Sequence, residues 1–290
     1  TGILNGTTNY ILTSMLENNL NFDAVLEIAQ SKGYTSKAET ELDIGGLDSA
    51  HKLTLLTTLC FGSEINYENN TVEGISNIRI KDIINARQLG YKIKLISEAK
   101  VIDNHICCVT GPKLINNKNS LANVDGVLNA IKLETDQLET LFLEGEGAGG
   151  IATASSVISD LYEISSNSNI SSLGYKASNL KKIKKYNISK IESPYYLRFT
   201  SKDISGVLSK ITGYFKDFNI SIEKILQLPD DDKKNVSVSI IITTHKVKNE
   251  KIKDLFNIIL IYCLKLCLQS KTKHEEDISP IYSISFKSAK

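Results

Sequence analysis

The chain has 290 residues, 41% of them hydrophobic and 23% charged, with a formal net charge of +1. That is the make-up of an ordinary globular protein of about two domains. The charge balance excludes a global electrostatic basis for binding nucleic acid or an anionic membrane. The five cysteines form no CxxC pair and no Cys/His zinc spacing. They are expected to be reduced thiols in a cytoplasmic protein, with no metal centre.

In chain order, Tyr10, Ile11, Met15 and Leu16 recur at helical spacing, followed by Phe22, Val25, Leu26, Ile28 and Ala29. Residues 9–32 therefore read as two helices, the second capped by Asn21 and ended by Gly33. Residues 34–46 lack periodicity and read as a loop. Helices are expected over Asp48–Phe61 and Asp82–Gly90, and strands over Ile93–Ala99, His105–Thr110 and Gly126–Leu133. The stretch "LFLEGEGAGG", 141–150, reads as a strand entering a glycine-rich turn, with a helix over Ala152–Ile164. Residues 166–193 are polar, basic and poor in large hydrophobes, as a linker or peripheral segment would be. Beyond them come strand Tyr195–Thr200, helix Ser205–Phe218, strands Ile220–Leu228 and Val236–Thr243 around a "PDDDKKN" hairpin turn, helix Asn249–Leu266, and a strand near Ile281–Phe286. This is the ferredoxin-like βαββαβ order. The longest apolar run, Leu255 to Leu268, is broken by Lys265 and is too short to cross a bilayer.

Four short segments carry candidate chemistry. In "ELDIGGLDSAHKL", Asp48 and Lys52 stand at i,i+4 and share a helix face, with Asp43 just before. Spacing alone reads this as a surface ion pair worth about 0.3–0.5 kcal/mol. In "GILNGTTNYIL", Gly6, Thr7 and Thr8 precede a helix, as a carboxylate site or as a plain cap. The "GEGAGG" turn, with Gly147, Gly149 and the following Thr153, suits phosphate or ribose approach and equally suits tight helix–sheet packing. It lacks a P-loop lysine and a dinucleotide fingerprint. In "KDISGVLSKITGYF", Asp203, Gly206 and Val207 sit where a helix start would take an amino-acid carboxylate, and Asn219 opens the next strand segment.

The last segment, with "NISIEKILQ" and "VSVSIIITTH", resembles the ACT domain, a module that binds amino acids across a domain pair. Ser205 stands where the usual motif has proline. The order of "GILNGTTNYIL", "AQSKGY", "DIGGLDSAHKL", "VEGI", "DIINARQLGYKIKL" and "GEGAGGIATASSVISDL" before it resembles homoserine dehydrogenase of the monofunctional type, over nearly the whole chain.

The resemblance implies an α+β protein. A mixed-sheet catalytic and dimerisation domain with helices would occupy 1–165, a linker or peripheral segment 166–193, and an ACT regulatory domain 194–290. It implies NAD(P)-dependent interconversion of L-homoserine and L-aspartate 4-semialdehyde on the route to threonine, methionine and isoleucine. Lys52 would handle the proton with Asp48 beside it. Gly6, Thr7, Tyr34, Glu39, Asp43 and Asp48 would bind substrate. Gly147, Gly149 and Thr153 would lie by the nicotinamide of NAD or NADP. Asp203, Gly206, Val207 and Asn219 would take an amino-acid effector, with L-threonine the expected one, and a homodimer is expected.

The family's main nucleotide-binding domain would precede "GILNGT", so the stretch given is expected to be a fragment that is inactive alone. Its loop also departs from the family pattern. Ser36 falls where a substrate-binding glutamate is usual, leaving Glu39 or Glu41 to replace it. The alternative reading is a non-catalytic amino-acid sensor or dimerisation scaffold.

Overall fold

The computed structural model describes residues 1–64, 66–166, 175–202, 205–229, 237–269 and 286–289. The chain divides into one unit over Thr1–Tyr186, to which Ala289 is also assigned, and a second over Asn187–Ser288. The first unit contains β1 (Gly2–Ile3), α1 (Gly6–Asn18), α2 (Phe22–Ser31), α3 (Thr40–Ile44), α4 (Leu47–Phe61), β2 (Asn70–Val72), α5 (Ile80–Gln88), β3 (Tyr91–Ile102), β4 (His105–Asn116), β5 (Leu128–Thr135), β6 (Glu139–Glu146) and α6 (Gly150–Ser165).

The strands of this unit pair antiparallel in the order β6-β5-β1-β3-β4, and β2 runs parallel to β4, so the sheet is mixed. Its longest pairing is the β3–β4 hairpin, continuous from Tyr91↔Asn116 to Ile102↔His105. The two turn residues, Asp103 and Asn104, both have positive φ. That is the requirement of a two-residue hairpin whose twist matches its strands. Ile3, Ile96, Ile115 and Ala130 form one core cluster with Leu121 and Val124. Leu53 of α4 packs with Leu4, Ile106 and Cys108 in another.

The expected loop over 34–46 is corrected by a short helix, α3. Ser36 O accepts from Glu39 N and Thr40 N, and Gln30 Nε2 donates to Thr40 Oγ1 at 3.0 Å. Five residues are too few to show a helical repeat, so local hydrogen bonds rather than apolar spacing make this turn. Gly45 and Gly46 then separate α3 from α4, with Gly46 at φ +80°.

Two lysines face each other across the hairpin, Lys94 on β3 and Lys113 on β4, and both are almost fully buried. Like charges in this arrangement are unfavourable unless each finds its own partner. Lys94 Nζ donates to Asp125 Oδ1 at 2.8 Å, Val124 O at 2.7 Å and Asn9 Oδ1 at 3.0 Å. Lys113 pairs with Glu98, which Lys100 also approaches. Asn9 Nδ2 in turn donates to Val124 O and Leu128 O, so the Lys94 network pins α1 to the sheet.

The polar stretch expected as a linker is hydrogen-bonded to the first unit over part of its length. Lys181 N donates to Gly62 O, Glu64 N to Lys181 O, Ile106 N to Lys184 O and Tyr186 N to Ile106 O. Ile183 packs against the α4 cluster. By contrast, α6 exposes its apolar residues, with Ile158, Leu161 and Ile164 each more than half accessible among the described residues.

The second unit contains β7 (Glu192–Ser193), β8 (Tyr195–Lys202), α7 (Val207–Asp217), β9 (Ile222–Pro229), β10 (Ser237–Thr244), β11 (Val247–Lys248), α8 (Asn249–Gln269) and β12 (Phe286–Ala289). β12 pairs with β8, β8 with β10 and β10 with β9, all antiparallel. Counting the four long-sheet strands in chain order gives 4-1-3-2, the ferredoxin-like arrangement. Alternate residues Tyr195, Leu197 and Phe199 of β8 and Ile240 and Ile242 of β10 meet Ile211 and Phe215 of α7 and Ile252 and Leu255 of α8. The expected hairpin turn over 229–235 lies, beyond Pro229, outside the described residues, as does the expected strand over 281–285. Among the described residues no helix is long and apolar enough to cross a membrane.

The Glu98–Lys113 pair makes a pH prediction. Burial raises the Glu98 pKa, but Lys113 and Lys100 outweigh it and hold the carboxyl at about 2, against 4.5 when free. The sign follows from linkage. A depressed carboxyl contributes stability in full above pH 4.5 and loses it as pH falls toward 2. Glu98→Gln is expected to lower stability at pH 7 by about 2–3 kcal/mol and to flatten the decline across that acid window. Urea titrations of both proteins from pH 5 to 2 check this, and parallel pH profiles refute it.

Candidate functional site

The start of α1 organises the polar cluster. Asn5 is the helix cap, extended in its backbone, and its Oδ1 accepts from Thr8 N at 2.8 Å. Its Nδ2 donates to Asp43 Oδ1 and to Asp48 Oδ2, each at 2.8 Å. Asp43 ends up here because α3 carries it to the Gly-Gly break, and Asp48 because it opens α4. Lys52, one turn further along α4, donates to Asp48 Oδ2 at 2.8 Å and to Leu4 O at 3.1 Å. Two of its three hydrogens are thus used within the protein. Thr35 Oγ1 donates to the other oxygen of Asp43 at 2.7 Å.

The loop before α3 closes over the same place. Thr7 Oγ1 donates to Tyr34 O at 2.8 Å. The Tyr34 ring meets Tyr10 edge-on with centroids 4.8 Å apart, and Lys32 Nζ stands 5.3 Å from the Tyr10 centroid. Glu39 is exposed, and its carboxylate accepts from Ser36 Oγ at 2.8 Å, so Ser36 rather than the Asp43–Asp48 network holds it. Glu41 is also exposed.

The glycine turn reaches this end of the unit through β5. A Cβ on Gly147 would stand 2.0 Å from Asn129 Nδ2, and one on Gly6 would stand 2.6 Å from Val127 O and 3.7 Å from Asn129 Oδ1. Asn129 therefore lies between the turn and the start of α1, and its Oδ1 is buried without a hydrogen-bond partner. Gly149 and Gly150 have nothing within 4 Å of where a Cβ would stand. The backbone there is open to approach, and Thr153 sits on the first turn of α6, its N donating to Gly149 O. This open backbone at a helix start fits an anionic or flat cofactor group.

Gly6, Thr7, Tyr34, Asp43, Asp48 and Lys52 are thus brought together, with Gly147 and Gly149 at the same end. Sequence reasoning missed Asn5 and Thr35. Asn before Gly-Thr-Thr is a readable cap signal, but its bonds to residues 38 and 43 positions away have no local signature.

In the second unit, Gly206 caps α7 at φ +92°, with half-buried Val207 next. Asn219 follows the other end of the helix at φ +52°. An eleven-residue helix separates them by about 16 Å. Asp203 lies outside the described residues.

The homoserine dehydrogenase family profile matches residues 1–162 and the ACT domain profile matches residues 195–260. The chain is 36% identical over 259 residues to the homoserine dehydrogenase of Helicobacter pylori, covering 89% of this chain and 61% of that one. It is 35% identical over 258 residues to that of Neisseria gonorrhoeae, covering 87% and 59%. The crystal structure of a homoserine dehydrogenase from Thiobacillus denitrificans superposes with a TM-score of 0.81 at 31% identity, over 99% of this chain and 63% of that one. The chain therefore spans about three-fifths of the length of these relatives. With its mixed-sheet unit followed by an ACT domain, it belongs to the homoserine dehydrogenase family.

Proposed function

We propose that this chain supplies the substrate-binding and regulatory part of an NAD(P)-dependent homoserine dehydrogenase that interconverts L-homoserine and L-aspartate 4-semialdehyde. The observation that carries the reading is the cluster of Asp43, Asp48 and Lys52 around Asn5, placed beside an open glycine turn. Two carboxylates give an anionic wall for the substrate ammonium. Lys52 Nζ, oriented by Asp48 and Leu4 O, keeps one direction for the substrate oxygen. In oxidation a neutral Nζ takes the hydroxyl proton, and in reduction the ammonium returns it. A bound nicotinamide supplies the hydride acceptor or donor, and Gly147, Gly149 and Thr153 are the residues of this chain that would border it. Thr7 and Tyr34 close the opposite side, with Glu39 on the loop between them and Asp43.

The second unit is proposed to bind an amino-acid effector, L-threonine, at the Gly206–Val207 helix start, with Asn219 contributed across a domain pair. The separation of Gly206 and Asn219 along one helix supports a site shared between two copies. A homodimer through the β5–β6 face is the matching assembly. Leu143 of β6, directly opposite Ile131 of β5, is half exposed there.

With the preceding segment of a relative fused in frame, Lys52→Ala is expected to lower kcat for homoserine oxidation about 10²- to 10⁴-fold with a smaller change in KM. Unchanged turnover removes Lys52 from the mechanism. L-threonine is expected to raise the melting temperature of the 290-residue chain, as any ligand selective for the folded state does, and Gly206→Val is expected to abolish the rise. A flat threonine titration by thermal shift rejects the effector assignment. Leu143→Glu is expected to halve the mass seen by light scattering, and a wild-type protein that is already monomeric would count against the dimer.

A further inference from the structure

The bonds around Asn5 exceed what a helix cap requires. The residue is 5% exposed, and both of its carboxamide donors and its oxygen are engaged. Oδ1 takes Thr8 N, and the two Nδ2 hydrogens go to Asp43 Oδ1 and Asp48 Oδ2. We infer that Asn5 is a positioning residue of the site, which locks the two carboxylates to one another and, through Asp48, aims the Lys52 ammonium. The ligand in this inference is the one assigned under Proposed function, on which it rests.

The chemistry selects an amide. Adjacent carboxylates repel, and each would otherwise turn toward water. A neutral group with two N–H donors satisfies one oxygen of each without neutralising either. Serine has one donor and can serve one carboxylate only. Lysine cannot also accept the Thr8 N–H, and aspartate adds a third negative charge. The division of the oxygens is then unequal. Asp43 has both oxygens engaged, by Asn5 and Thr35. Asp48 Oδ2 takes both Asn5 and Lys52, while its Oδ1 has no hydrogen-bond partner among the described residues. Asp48 Oδ1 is therefore the acceptor left for a ligand donor. The other charged or imidazole side chains on α1, the loop before α3, α3 and α4 are Glu17, Lys32, Lys37, Glu39, Glu41, His51 and Lys52.

The test uses the 290-residue chain, carboxyl-carbon NMR and calorimetry with L-homoserine as probe. Asn5→Ser keeps the helix cap and is expected to keep the circular dichroism spectrum, shift the Asp43 and Asp48 carboxyl resonances and weaken homoserine binding at least about tenfold. Asn5→Asp also caps, but it places a third carboxylate against the pair, so its carboxyl resonances are expected to titrate in coupled steps. Wild-type titration of Asp43 and Asp48 in Asn5→Asp, or wild-type homoserine binding by Asn5→Ser, overturns the inference. If the unmodified chain does not bind homoserine, the substrate assignment falls and the Asn5→Asp titration alone decides the clamp. The same titration decides it if Asn5→Ser does not fold.

Discussion

Lys94 is the side chain on which the first unit most depends. It is a cation with almost no access to water, facing a second buried cation across the β3–β4 ladder. Desolvation lowers its pKa, and the hydrogen bond and charge of Asp125 oppose that shift. Satisfying its ammonium fixes three things at once: the register of the hairpin, the position of the Val124–Asp125 loop, and the orientation of α1 through Asn9. A buried charge tolerates little displacement from its partners. Helix α1 is thereby held at a set distance from the sheet, and its first residue and cap arrive where α3 and α4 deliver their carboxylates.

This arrangement separates support from chemistry along one helix. Asn9 and Thr13, lower on α1, face Lys94. Asn5, at the top, faces Asp43 and Asp48. The site is built where three chain breaks meet: the start of α1, the Gly45–Gly46 pause between α3 and α4, and the turn after β6. Each break leaves backbone groups unpaired by secondary structure, and side chains or ligands complete them. The shared location of broken helices and candidate chemistry is a consequence of that need.

Much of this was legible in the sequence because it is written locally. The i,i+4 spacing of Asp48 and Lys52 places them on one face of α4, and they are found 2.8 Å apart. Period-2 alternation marks β3, β4 and β5, and the strand–helix order of the second unit follows from turn residues and apolar spacing. What was not legible is relational. Helix α3 is too short for periodicity to register. The engagement of Ser36 with Glu39 depends on a turn that no apolar pattern announces. Asn5 and Thr35 are polar residues with unremarkable neighbours, and their roles appear only when residues some 8 to 43 positions apart are folded together. Buried Lys94 and Lys113 sit in strands where a lysine ordinarily reads as solvent-facing, because burial of a charge depends on a partner from another element.

The contact between Gly147 and Asn129 bears on how such a site can change over generations. The carboxamide of one stands where a side chain on the other would begin, so a side chain at 147 requires the Asn129 amide to turn away. A lineage acquiring a larger residue at 147 must turn or shorten the side chain at 129, and either change alters what faces Gly6. Change at the glycine turn is therefore felt on β5 and, through it, at the start of α1.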